Sequence, residues 1–195
     1  MTAQPARKLA TYADLAALPD HVVGEILNGQ LYLQSRPRPI HAKAETSIGG
    51  DLDGTFGRRT DDPQRPGGWL ILVEPELVLG QQVIVPDLAG WTRERMPNLP
   101  TTPQFHLAPD WVCEIVSPAT ARKDRVIKLP MYAAEGVRWA WLVDPDTRTV
   151  EAFANEAGRW MLLGNWVGDD AARIPPFEAA EFAMLNWWDG EAAEM

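Results

Sequence analysis

The chain has 195 residues and a net charge of −9, with 46% of residues hydrophobic and 23% charged. That length and composition suit one domain with a packed core and exclude disorder throughout. No run approaches about 18 uninterrupted apolar residues, which excludes a membrane-spanning helix, and the acidic total argues against coating nucleic acid by bulk electrostatics.

Residues 1–10 are expected to form a flexible N-terminus; Arg7 and Lys8 lead into no apolar stretch, so a secretory signal is not expected. Residues 11–18 read as a short helix stopped by Pro19. Residues 22–33 read as a hairpin, because Asn28-Gly29 suits a two-residue turn with positive φ. That turn pairs Leu27 with Gln30, Ile26 with Leu31 and Glu25 with Tyr32. After an extended loop over 34–39, a helix is expected from about 41 to 57, with His41, Glu45, Ile48 and Leu52 at helical spacing. Residues 60–68 form a Pro/Gly/Asp loop. Two strands follow, 69–79 and 83–89, joined by a four-residue loop that sets Val78 opposite Val83, Pro75 opposite Pro86 and Glu74 opposite Asp87.

Residues 91–108 are mostly loop, and 110–116 is a short apolar strand. Ser117-Pro118 reads as the cap and first residue of a helix running to about Glu135, kinked at Pro130 and ended by Gly136. Residues 138–144 form a strand dense in Trp and Val, and 149–154 with 159–163 form another hairpin. The apolar residues Phe177, Phe182, Leu185, Trp187 and Trp188 are expected to cap the core, and 189–195 to be a flexible acidic tail. This mixture predicts a single domain of α/β (α+β) class around one central sheet. The nine tryptophans are assigned mainly to core or dimer packing.

Charge is uneven along the chain: residues 1–150 hold 16 basic and 18 acidic side chains, whereas 151–195 hold 2 and 9. A polyanion would therefore meet the first three quarters. Cys113 is the only cysteine, so no internal disulfide can form and a reducing cytoplasm is expected.

One constellation carries chemistry. Asp87 follows Pro86 at a strand end, and Glu114 lies within Trp111-Val-Cys-Glu-Ile-Val116. On a strand Glu114 shares a face with Val112 and Val116, while Trp111, Cys113 and Ile115 face the other way. A carboxylate there is costly to bury without a counter-charge, a metal or hydrogen bonds. Two such acids at adjacent strand ends solve the problem jointly by holding a hard divalent cation, which takes oxygen ligands and leaves room for water and phosphate. The ion would activate a water and steady charge on a phosphate oxygen. The next helix offers Arg122, Lys123, Arg125 and Lys128. Lys128 is the candidate for orienting the attacking water or neutralising the transition state, with Asp124 one turn away on the same face. A solvated basic helix face is the plainer reading of that run. Glu25 and Glu74 are further acids within strands, and His41 is a supporting candidate beside a plain packing role. No zinc spacing, phosphate-cradling glycine loop or serine elbow is present.

These residues resemble the Uma-two type of restriction-endonuclease family, within the PD-(D/E)XK nuclease superfamily. The matching pieces are Glu25-Ile-Leu-Asn-Gly-Gln-Leu31, His41 before a helix, Val85-Pro-Asp-Leu88 and Trp111-Val-Cys-Glu-Ile-Val-Ser-Pro-Ala-Thr120. Asp124, Lys128 and Tyr132 follow at four-residue steps, then Gly136-Val137 and Trp141-Leu-Val-Asp-Pro145. The resemblance covers roughly residues 10–185. It implies a four-stranded mixed sheet flanked by helices, a nuclease-like site dependent on Mg²⁺ (or Mn²⁺), and a homodimer. It matches Asp87 to the Asp of the PD motif and Glu114 to the acid of (D/E)XK, with the Ile115 carbonyl as a further metal ligand. Val116 stands where the superfamily has Lys, which directs the cationic role to Lys128.

The leading expectation is a Mg-dependent phosphodiesterase acting on nucleic acid, DNA ahead of RNA, in the cytoplasm and away from membranes. A rival is a nuclease-fold scaffold or protein-interaction module without cleavage, favoured by Val116 and the charge of −9. A third reading is a metal hydrolase acting on a small phosphodiester or nucleotide.

Overall fold

The computed structural model describes residues 9–19, 21–34, 36–57 and 66–188. The expected flexible ends, apart from Leu9 and Ala10, and most of the 60–68 loop lie outside the described residues. Helix α1 (Tyr12–Ala16) starts where Asp14 accepts the Thr11 amide and hydroxyl, each at 2.7 Å. Strands β1 (Gly24–Leu27) and β2 (Gln30–Leu33) form the hairpin in the expected register, with Asn28 and Gly29 both at positive φ. Helix α2 (Pro39–Leu52) begins with a proline at its first position and runs on into a π turn over Asp53–Gly57. It buries Ala44, Ile48 and Leu52.

The two long strands expected over 69–79 and 83–89 are four short ones: β3 (Trp69–Val73), β4 (Leu77–Leu79), β5 (Gln82–Ile84) and β6 (Leu88–Thr92). The expected register holds across the break, since Val78 pairs with Val83 and Val73 with Leu88. Leu79 pairs with Gln82, so the connecting loop has two residues rather than four. The break falls at Pro75 and Pro86, which have no N–H to give to a ladder. β4 and β5 join the first hairpin in a four-stranded sheet of order β2-β1-β5-β4, while β3 and β6 enter the central sheet.

The central sheet continues through β7 (Trp111–Ile115) and, after a helical crossover, β8 (Trp139–Asp144), which is parallel to β7. The four-stranded mixed core β3-β6-β7-β8 is extended by a long hairpin, β9 (Thr149–Glu156) and β10 (Arg159–Val167), to six strands. A small pair, β11 (Ala171–Ala172) and β12 (Phe182–Ala183), follows. The crossover departs from expectation. Ser117 and Thr120 close a turn through their hydroxyls at 3.1 Å, and helix α3 (Ala121–Lys123) begins only after it. A π turn over Asp124–Lys128 then leads into α4 (Leu129–Ala134), with Pro130 just inside it. The wide turn fits the missing N–H of Pro130, which disturbs the regular α ladder.

Alternation along β7 divides the core as expected. Trp111, Cys113 and Ile115 pack with α2 and the C-terminal aromatics Phe177, Phe182, Trp187 and Trp188. Val112 and Val116 pack on the other face with Leu129 and Tyr132. Leu185 is an exception to the expected cap, being exposed.

Candidate active site

The C-terminal half of β7 meets the β5–β6 connection, and Asp87 lies in that junction. β6 pairs with β7 only as far as Leu88 opposite Cys113, so the Ile115 amide next in line has no β6 carbonyl. The Asp87 Oδ2 takes that amide at 2.6 Å. Its Oδ1 lies 3.5 Å from Nε2 of His41, which α2 brings over the sheet. Glu74 is held across from Asp87, donating its amide to the Asp87 carbonyl at 2.9 Å, at φ +45°.

Glu114 points to the other face of β7 and is buried. Its Oε1 accepts the Tyr132 hydroxyl at 2.6 Å, and its Oε2 accepts from Lys128 Nζ at 2.8 Å. Lys128 is 1% exposed, and its ammonium also meets the Val85 carbonyl at 2.9 Å and Glu25 Oε1 at 3.1 Å. Two of its protons go to Val85 and Glu114, and Glu25 is its ion-pair partner. The reach of Lys128 is thus towards Glu114, Glu25 and the chain at Val85. Glu25, fully buried on β1, also accepts the Val85 amide at 3.1 Å and Lys123 Nζ at 2.7 Å.

Burial opposes charge on each group, and the partners decide the outcome. Against the cost of burial, Glu114 and Glu25 hold the Lys128 ammonium well above its ordinary range. Burial likewise works against Glu25, yet Lys128 and Lys123 keep its carboxyl below the usual carboxylate range. Burial drives Glu114 and Asp124 upward, with Lys128 pulling both back. His41 is raised despite its burial, through the Asp87 carboxylate. Glu45, one turn beyond His41, is pushed up to about 7 by burial and by the charges of Asp87 and Glu74, with His41 acting in the opposite sense.

Asp87, Glu114, Lys128, His41, Glu74 and Asp124 all line one cleft of about 770 Å³, with Ile115 at its floor. Of the expected site residues only Glu25 lies behind it, holding Lys128 from below. Sequence reasoning left three participants unassigned: Tyr132, Lys123 and Glu45. Tyr132 follows Lys128 by four residues, and Glu45 follows His41 by four on the same face as Ile48 and Leu52, spacings that the sequence shows but that carry no role by themselves. Lys123 as the second partner of Glu25 had no local signal.

Among the described residues no group of three or more His, Cys, Asp or Glu is gathered as a metal centre. Two carboxylates with water and phosphate suffice for Mg²⁺. The Oε1 of Glu45 and the Nδ1 of His41 are buried without a hydrogen-bond partner, and Glu45 lies within the field of Asp87 and Glu74. Surplus negative charge with unpartnered polar atoms fits a divalent cation beside Asp87.

A mixed sheet with a parallel β7–β8 pair joined by a helical crossover, and an acid-and-lysine cluster at its strand ends, defines a restriction-endonuclease-like fold. A crystal structure titled as a putative nuclease belonging to DUF820, from Anabaena variabilis ATCC 29413, is similar to it with a TM-score of 0.71. The two are 20% identical, the match covering 91% of this chain and 97% of that one. The family described as "Uma2: Putative restriction endonuclease" matches residues 9–185, and the chain belongs to that family. No curated protein matches the chain.

Proposed function

We propose that the protein is a divalent-metal-dependent nuclease, hydrolysing phosphodiester bonds of nucleic acid, DNA ahead of RNA. The observation that carries this reading is the meeting of Asp87, Glu114 and Lys128, distant in the chain, at one cleft, with Lys128 Nζ 2.8 Å from Glu114. Asp87 and Glu114, with the Ile115 carbonyl, would hold Mg²⁺ or Mn²⁺. Each carboxylate oxygen has more than one lone pair, so Glu114 can accept Tyr132 and Lys128 and still ligate. When bound, such an ion supplies an activated water and a counter-charge for the phosphate oxygens.

The chain's own groups do the remaining work. Lys128 holds the Glu114 carboxylate in place and offsets negative charge at the floor of the cleft. Its ammonium is buried, bonded to Val85 and Glu114 and ion-paired with Glu25, which supports a charge role. Glu25 fixes Lys128, and Tyr132 fixes the second oxygen of Glu114. His41 orients Asp87 and can take or return a proton at Nε2. Buried Asp124 and exposed Glu74 add further acidic groups to the cleft lining.

The test is cleavage of DNA and RNA with Mg²⁺ or Mn²⁺, comparing the wild type with Asp87→Ala and Glu114→Ala. Loss of activity in both variants is expected; equal activity in all three would place the cleavage elsewhere. Calorimetric titration with Mn²⁺ separates this reading from a silent scaffold, which would show no binding that depends on Asp87. We further propose a cytoplasmic homodimer. The lone cysteine supports the compartment. The exposed Met161, Leu162 and Val167 of the edge strand β10 support the assembly, which light scattering in solution tests.

A further inference from the structure

The walls of the cleft differ in kind from its floor. The floor is ionic, but the hairpin wall presents Tyr32 and Leu33 and the facing helix presents Val126 and Ile127. Leu33 is 59% exposed and Val126 62%, so these two face water, while Tyr32 and Ile127 are half-buried with one side against the core. Arg36 and Arg122 also line the cleft, and among the described residues neither has an ion-pair or hydrogen-bond partner. A ligand that suits all three parts has an apolar planar surface for the walls, negative charge for the arginines, and a group that an ion beside Asp87 could bind.

A nucleotide unit has all of these, but only when its base is out of the duplex. In a paired helix the base faces are stacked on their neighbours, and apolar walls have nothing to grip. The cavity volume of about 770 Å³ is in the range of clefts that take a small organic ligand. Proteins that take single strands combine positive charge along the backbone with side chains that stack on exposed bases.

We propose that the cleft takes an unpaired nucleotide, its base between the Tyr32–Leu33 and Val126–Ile127 walls and its phosphates beside Arg36 and Arg122. The substrate is therefore a single strand, flap or overhang in preference to a blunt duplex. This rests on the nuclease reading for the identity of the ligand, yet it concerns binding and can be tested without cleavage.

The full chain is titrated into a fluorescein-labelled single strand, the same strand in a blunt duplex, and a duplex carrying an unpaired flap, and anisotropy is read without metal. The single strand and the flap should bind at least about tenfold more tightly than the blunt duplex. Leu33→Ser and Val126→Ser, both at exposed positions, should each weaken single-strand binding by roughly threefold to tenfold, with an unchanged unfolding midpoint. Equal or tighter binding of the duplex, variants that bind as the wild type does, or no binding of any strand would each overturn the proposal. Cleavage with Mn²⁺ is read in parallel. Strand-selective binding without cleavage would remove the nuclease reading and keep the binding site; equal cleavage of strand and duplex would do the reverse.

Discussion

Asp110 and Glu114 stand at opposite ends of one short strand, and both are buried. At the Asp110 end the carboxylate is closed into the fold. Its Oδ2 takes the Thr92 amide at 2.8 Å, and its Oδ1 lies 2.8 Å from Arg95 and 3.6 Å from Arg138. Backbone bonds to Gly90, Arg138 and Trp139 hold the same residue from three sides. At the Glu114 end the acid shares its surroundings with Asp87, a buried lysine and a cleft open to solvent. A buried acid in an apolar strand is thus an incomplete sign of function. The distinguishing features are the way in for a ligand and the neighbouring acids whose charge is left unbalanced.

That contrast can be broken by substitution. Lys128→Met should have the largest effect on stability, on the order of 3–5 kcal/mol by urea unfolding, because it leaves Glu114 and Glu25 buried without their shared ammonium. A loss below about 1 kcal/mol would show that the two acids are not charged in the fold. Next, Asp110→Asn should cost about 1–3 kcal/mol and leave cleavage unchanged. Asp87→Asn should do the opposite, with cleavage falling by on the order of a hundredfold or more and the unfolding midpoint nearly constant. Cleavage lost with Asp110 and kept without Asp87 would invert the comparison.

The third effect is on pH dependence. Glu45 has its carboxyl raised to about 7, so the folded chain holds a proton there that the unfolded chain releases near 4.5. Stability should therefore decline as pH rises from about 4.5 to 7, by roughly 1–2 kcal/mol after solvent screening. The raised His41 adds a decline of the same sign above its unfolded value. Glu45→Gln should make the fall of the melting temperature between pH 5 and 8 shallower; an unchanged slope would assign it to other groups. The smallest effect is expected for Arg125→Ala. It removes a partly exposed pair with Glu151 and should change stability by less than about 1 kcal/mol in chemical denaturation.

Much of this arrangement was legible beforehand, for local reasons. Strand parity alone separates Glu114 from Cys113, and the Asn28-Gly29 turn fixes which residues face Glu25. The pairing of Glu74 with Asp87 followed from counting back from the Leu79–Gln82 turn. What the count could not reveal is that Pro75 and Pro86 divide the ladder between two sheets, because which sheet each half joins is set by strands distant in the chain. Ser117-Pro118 resembles a helix start, but the Ser117–Thr120 hydroxyl contact closes a turn there and delays the helix after β7. Lys128 is legible as a cation but not as a buried one, since its partners come from β1, β7 and the chain between β5 and β6.

The π turn over Asp124–Lys128 has a consequence for how this chain can change length. A π turn closes with one residue more than an α turn, so removing one residue from it would restore an ordinary α turn and leave the residues on either side near their present angles. Lys123 would keep its reach to Glu25 on one side of the turn, and Tyr132 its bond to Glu114 on the other. A one-residue deletion is thus absorbed at this turn, whereas the same deletion in α4 ahead of Tyr132 would turn that side chain by about 100° and away from Glu114.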